Sequence, residues 1–165
     1  MHLIITRHGK AEPFSSSGRD FDRLLSERGH RQAEHLAANI KDRFPIDAVV
    51  SSDAPRALDT ASSIAEAIET ACETDPRLRP EEPVEPVLDL IAERSRGQLV
   101  GGLCLAGHNP QLSKLVGVLT LGPIGPSIVL KTGMAVVLEL TAESAADPAA
   151  LPGAAVVRGT LRLDG

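Results

Sequence analysis

The chain has 165 residues, 42% hydrophobic and 24% charged, which fits one globular domain over 1–165 with its own core. Aromatics are only 2%, with no Trp or Tyr, so the core must come from Leu, Val, Ile and Ala, and a base-stacking platform for nucleic acid is not expected. A formal net charge of −5 carries no nucleic-acid footprint, and an anionic substrate would need a local cationic pocket working against the global sign.

Leu3 to Thr6 is a short apolar run and predicts a buried strand, ended by Arg7-His8-Gly9. That places a cation, an imidazole and a small residue at the C-terminal edge of a strand, where open α/β sheets bind ligands. Arg grips phosphate oxygens, His can attack phosphorus, and Gly lets a backbone approach closely. A polar loop, 15–20, follows. Ser26 is the expected N-cap of a helix whose apolar stripe is Ala33, Leu36, Ala37, Ile40 and Phe44, and Pro45 stops it. Ile46 to Ser51 reads as the second strand. Pro55 suits a helix start, with a stripe of Ala57, Ala61, Ile64, Ala65 and Ile68. Residues 75–83 form a Pro-rich, charged connection with room for a short edge strand. Val84, Val87, Leu88 and Ile91 mark a short helix. Gly101 to Ala106 reads as a third buried strand, and Leu112, Leu115, Val116 and Leu119 as the next helix.

The last third changes character. Ser127–Lys131 and Met134–Thr141 read as two strands joined at Thr132-Gly133, and Ala155–Leu163 as an edge strand after a small-residue loop. This alternation predicts an α/β three-layer sandwich, mostly parallel, with an antiparallel strand or C-terminal hairpin.

Three segments carry chemistry. Thr6-Arg7-His8-Gly9, then Ser51-Ser52-Asp53-Ala54-Pro55-Arg56-Ala57-Leu58-Asp59-Thr60-Ala61, then Ala106-Gly107-His108-Asn109-Pro110 each fall at a strand end or helix start. In this order they resemble the histidine phosphatase superfamily, with its phosphoglycerate-mutase-like fold. Lys10-Ala11-Glu12, the run from Asp22 to Gly29, and Lys131-Thr132-Gly133 are similar to the short bacterial phosphohistidine phosphatases (SixA-like).

The resemblance implies a phosphatase with His8 as nucleophile, Arg7 and Arg56 on the phosphate oxygens, and His108 as a donor to the transition state. Gly9, Arg23 and Asn109 are candidate substrate contacts, although Arg23 suits a surface salt bridge equally well and Asn109 suits a turn or N-cap better than a ligand. No metal or cofactor is required. The acid that protonates a leaving group has no clear motif; Glu81 or Glu82 could reach the site, whereas Glu85, Asp89 and Glu93 read as a solvated helix face. A missing acid suits phosphohistidine on a signalling protein, because imidazole leaves more easily than an alkoxide. The alternatives are a small-molecule phosphomonoesterase acting on a sugar or related phosphate, and a non-catalytic phosphate-binding module. His30 and His35 are expected on a polar helix face, and Cys72 and Cys104 as free thiols of a cytoplasmic protein, since neither has zinc or CxxC spacing. No membrane segment or signal peptide is expected, and nothing suggests more than a monomer.

Overall fold

The computed structural model describes residues 1–97 and 101–164. Six strands form one sheet, flanked by helices on both faces. In chain order the elements are β1 (His2–Arg7), α1 (Glu27–Arg43), β2 (Ala48–Ser51), α2 (Pro55–Ala67), β3 (Cys72–Thr74), α3 (Glu85–Arg96), β4 (Gly102–Gly107), α4 (Gln111–Leu121), β5 (Met134–Glu139), α5 (Ala142–Ala145) and β6 (Val156–Arg162), with 3-10 turns at Asp20–Asp22 and Pro76–Leu78. The sheet order is β3-β2-β4-β1-β5-β6, and β5 alone runs against the rest. The expected three-layer α/β sandwich, mostly parallel with antiparallel pairing at its C-terminal end, is the fold observed.

Strand alternation divides the core into two layers. Leu3, Ile5, Val50, Leu103 and Leu105 face α3 and α4, where they meet Val87, Leu90, Ile91, Leu112, Leu115 and Leu119. Ile4, Val49, Cys104, Ala106 and Val137 face α1 and α2, where they meet Leu36, Ile40, Ala61 and Ile64. Each fully buried Leu or Ile contributes roughly 1.5–3 kcal/mol relative to an exposed one. Among the described residues no Phe is fully buried, and the half-buried Phe44 packs against the second layer.

Local signals act as their chemistry requires. The Ser26 hydroxyl caps α1 by accepting the Gly29 N–H, and Pro55 opens α2, where its missing N–H costs nothing. Two expectations are corrected. The edge strand β3 precedes the 75–83 connection instead of lying within it; there the Asp75 carboxylate accepts the Arg77 N–H and starts a 3-10 turn. Ser127–Lys131 is not a strand. Its backbone groups are taken elsewhere: the Ile128 N–H bonds the Ser113 carbonyl, the Leu130 N–H the Ser113 hydroxyl, and the Leu130 carbonyl accepts from Arg7 and Asn109. β5 pairs instead with β1 and β6. Among the described residues no helix is long and apolar enough to cross a membrane.

Candidate active site

Parallel register brings the three sequence segments together. Arg7 at the end of β1 pairs with Gly107 at the end of β4, and Ser51 at the end of β2 pairs with Ala106. The chain therefore delivers His8, Ser52 and His108 to one edge of the sheet, just beyond the last ladder bonds. β5 begins at the same edge, where the Gly133 N–H bonds the His8 carbonyl at 2.9 Å. A cleft of about 880 Å³ opens there, lined by Arg7, His8, Arg56 and His108 among others.

His8 is buried, 7% exposed, and its Nδ1 lies 2.7 Å from the Gly9 carbonyl oxygen. A carbonyl can only accept, so Nδ1 carries the proton and Nε2 keeps its lone pair. Burial pushes the imidazole pKa down to about 4; the Gly9 bond opposes this, and the charges of Arg56, Arg7 and Arg23 add to it. At neutral pH His8 is thus an uncharged base with one fixed tautomer. That is the state a nucleophile needs.

His108 sits beside it, with ring centroids 5.1 Å apart. Burial, then His8 and Arg56, hold its pKa down at about 3. Its Nε2 is 2.9 Å from the Ser52 hydroxyl, which already accepts the Ala54 N–H. Among the described residues that hydroxyl has no other acceptor for its own proton, so the network is satisfied with Ser52 donating to His108 Nε2 and the ring proton on Nδ1. That Nδ1 is buried and bonded to no protein atom. A buried donor without an acceptor is costly, and an anionic oxygen would satisfy it.

Arg56, 4% exposed, lies in the first turn of α2. Its guanidinium donates to the Asp20 and Phe21 carbonyls and to the Asp20 carboxylate at 3.1 Å. Arg23 takes the other Asp20 oxygen at 2.9 Å and the Glu12 carbonyl at 2.6 Å. The exposed Asp20 thus holds two site cations side by side, and the Arg23 and Arg56 contacts hold its carboxyl below the usual range. Arg7 donates to the Leu130 carbonyl at 3.0 Å, and its Nε is buried without a partner. Seven cationic side chains (Arg7, Lys10, Arg23, Arg28, Arg56, Lys131 and Arg162) line the cleft against two carboxylates, Asp20 and Glu81. In a chain of net charge −5, the lining of this cleft carries the opposite sign.

The other sequence candidates fall as follows. Arg23, Asn109 and Glu81 line the cleft, whereas Glu82 lines only neighbouring depressions. Gly9 does not line it: the place of its missing Cβ lies 2.5 Å from the Gly29 carbonyl oxygen, so its smallness seats α1 instead of admitting a ligand. The Asn109 side chain donates to the Leu130 carbonyl and accepts from Ser113. Cys72 is half-buried and Cys104 buried, both free thiols. Among the described residues no group of three or more His, Cys, Asp or Glu is arranged to hold a metal ion. Asp20, Ser52 and Gln32 were not singled out by sequence. Asp20 lies in an aperiodic polar loop, and the only signal for Ser52 was its position at a strand end beside Pro55.

Residues 3–80 match the sequence profile of the histidine phosphatase superfamily (branch 1), a range that includes the first two segments. No curated protein matches the chain by sequence. Among solved structures, the protein histidine phosphatase SixA complexed with tungstate is similar at a TM-score of 0.80 and 21% identity, over 98% of this chain and 97% of that one. Phosphoserine phosphatase from Entamoeba histolytica, in complex with 3-phosphoglyceric acid, is similar at 0.68 and 15%, over 98% and 97%. The mycobacterial glucosyl-3-phosphoglycerate phosphatase with VO3 is similar at 0.68 and 18%, over 96% and 97%. At these identities the likeness speaks to the fold. The resemblance is borne out by sequence for the first two segments, within residues 3–80; the third lies beyond that range, where the likeness is one of fold.

Proposed function

We propose that this chain, a phosphatase of the histidine phosphatase superfamily, hydrolyses phosphohistidine on a signalling protein through a covalent intermediate on His8, without a metal. The observation that carries the reading is the state of His8: neutral, its Nδ1–H anchored on the Gly9 carbonyl, and its ring in a cleft with Arg7, Arg56 and His108.

The chemistry needs only these groups and water. Arg7 and Arg56 grip the phosphoryl oxygens and His108 adds a donor. The His8 Nε2 lone pair forms a bond to phosphorus as the bond to the leaving nitrogen breaks. That imidazole departs neutral when its distal nitrogen is already protonated. The charge left on the His8 ring is stabilised by the Gly9 carbonyl. Water then attacks phosphorus, the P–N electron pair returns to Nε2, and both water protons leave with orthophosphate.

The carboxylates support a phosphoramidate substrate. Asp20 is ion-paired with two arginines and held unprotonated at neutral pH. Glu81 is exposed on the rim. Because Glu81 does line the cleft, a second reading stands beside the first: a small phosphomonoester, with Glu81 protonating the alkoxide. Two structural neighbours are named for such substrates.

A phosphohistidine-bearing carrier protein and a panel of phosphomonoesters, each with and without chelator, separate the readings. Phosphohistidine turnover is expected to survive chelator and Glu81→Gln and to vanish in His8→Ala. Alkyl phosphates turned over as fast, and lost in Glu81→Gln by about a hundredfold or more, would favour the monoesterase. Loss of all activity in chelator would contradict the metal-free route. No turnover of any substrate would leave a phosphate-binding module.

A further inference from the structure

The phosphoryl group of a substrate accounts for the inner cations of the cleft and leaves an outer set unexplained. Lys10, Lys131 and Arg162 line the same cleft, have exposed side chains, and make no ion pair or side-chain hydrogen bond among the described residues. Elsewhere several surface arginines pair with carboxylates, Arg31 with Glu27, Arg77 with Asp75 and Glu93, Arg79 with Asp53 and Arg94 with Glu73, while Arg43 lies over the Phe44 ring and Arg96 donates to the Ala146 carbonyl. The contrast is sharpest within β6. Arg158 meets Glu139 on the neighbouring strand, while Arg162, opposite Met134 at the cleft end of the same ladder, meets no carboxylate among the described residues.

The three cations are also held in place by backbone. Gln32, 2% exposed, accepts the Lys10 N–H at 2.8 Å and donates to the Thr132 carbonyl at 3.2 Å. One buried amide therefore ties the residue after the His8-Gly9 pair to the turn that carries Lys131. Gly133 closes that turn at φ 66° and bonds the His8 carbonyl. A side chain there would strike Gln32 at 2.5 Å. Lys10 and Lys131 thus stand on backbone referenced to the nucleophile, and Arg162 is joined to the same turn only through its ladder pairing with Met134. Glu81 is the rim's exposed carboxylate with no partner among the described residues, and it would repel a second negative group from its own side.

We propose that Lys10, Lys131 and Arg162 form a second anion subsite, which binds a carboxylate or further phosphate borne by the substrate close to its scissile phosphoryl group. This rests on the phosphatase reading and narrows its substrate class to phosphoryl compounds with a neighbouring anion. The anion comes either from an acidic side chain beside a phosphohistidine or from a small phosphorylated acid itself. Both present the same chemistry to the rim. Three solvent-exposed cations acting on one extra charge should favour it by about tenfold.

The test compares matched compounds. Phenyl phosphate is set against its 2-, 3- and 4-carboxylate analogues, and phosphohistidine peptides with neutral flanks against peptides with Asp or Glu flanks. The protein is used as wild type, as Lys131→Ala/Arg162→Ala, and as the charge-conserving Lys131→Arg/Arg162→Lys. The readout is the ratio of kcat/KM, charged over neutral. It should be about tenfold in the wild type, carried by KM, shrink at about 0.5 M salt, approach one in the alanine pair, and persist in the charge-conserving pair. A preference confined to the peptides assigns the anion to a protein, and one confined to the carboxylated aryl phosphates assigns it to a metabolite. A ratio of one in the wild type, or one untouched by the alanine pair, overturns the subsite. Binding without turnover gives an independent reading: phosphonoacetate should bind about tenfold more tightly than methylphosphonate, and only while Lys131 and Arg162 are cationic. Were no substrate hydrolysed while that difference held, the phosphatase reading would fail and the subsite would stand.

Discussion

Two histidines 5.1 Å apart, each largely buried, carry different assignments because each has a different partner. The Gly9 carbonyl fixes His8 as a base, and the Ser52 hydroxyl fixes His108 as a donor at Nδ1. Ser52→Ala should therefore lower kcat about tenfold to a hundredfold with little change in KM. It should also redistribute the His108 tautomers, which nitrogen chemical shifts would report; an unchanged tautomer with normal kcat would remove Ser52 from the site. Both rings have their pKa lowered by burial, so the acid limb of kcat/KM should fall near pH 4 instead of near the ordinary 6.5, when read with a substrate whose own ionisation is known. Stability carries the same sign. Well above pH 6.5 both rings are neutral in folded and unfolded chains. As pH falls from there toward 4, the unfolded chain takes up protons that the folded one refuses, and the fold weakens, by roughly 3 kcal/mol for His8 alone. A melting temperature that is flat between about pH 7 and pH 4.5 would contradict the depressed values.

At the scale of elements, the site depends on how closely α1 approaches the end of β1. Gly9 and Gly29 face one another across that contact, and a Cβ on Gly29 would run into the Lys10 carbonyl oxygen. Gly29→Ala should cost about 2–4 kcal/mol in urea unfolding and displace the Lys10 backbone, reducing activity in the protein that remains folded. A cost under about 0.5 kcal/mol would show that the helix can shift freely. The elements that sequence alone revealed are those whose signals are local: the Ser26 cap, the stripe from Ala33 to Ile40, and Pro55 ahead of Arg56. The segment 127–131 misled because Ile128, Val129 and Leu130 have the β-branched, apolar look of a strand. Its hydrogen-bond partners, Ser113, Arg7 and Asn109, are more than a dozen residues away and leave no local trace. Arg7, His8, Arg56 and His108 were legible because each sits at a strand end or helix start. Asp20 and Gln32 were not, since what they join lies at least 22 residues away on one side of each bridge.

Across the whole molecule, the acidic surface and the cationic cleft oppose one another. The net charge of −5 repels anions at long range, and seven cations attract them near the cleft. Association with an anionic substrate should then slow as salt screens the cleft, so kcat/KM should fall between about 0.05 and 0.5 M ionic strength with kcat nearly constant. A rise in kcat/KM with salt would mean that the global charge dominates. The fold serves the same end: parallel register places two histidines and two arginines from sequence positions 7 to 108 on one sheet edge.

The most direct test is the covalent intermediate. Wild-type protein mixed with a phosphohistidine-bearing carrier and quenched within milliseconds should yield an acid-labile, base-stable phosphoryl group, mapped by mass spectrometry to His8 and absent in His8→Ala. Turnover without any such adduct, or an adduct on His108 or another residue, would contradict the assignment of His8 as the nucleophile.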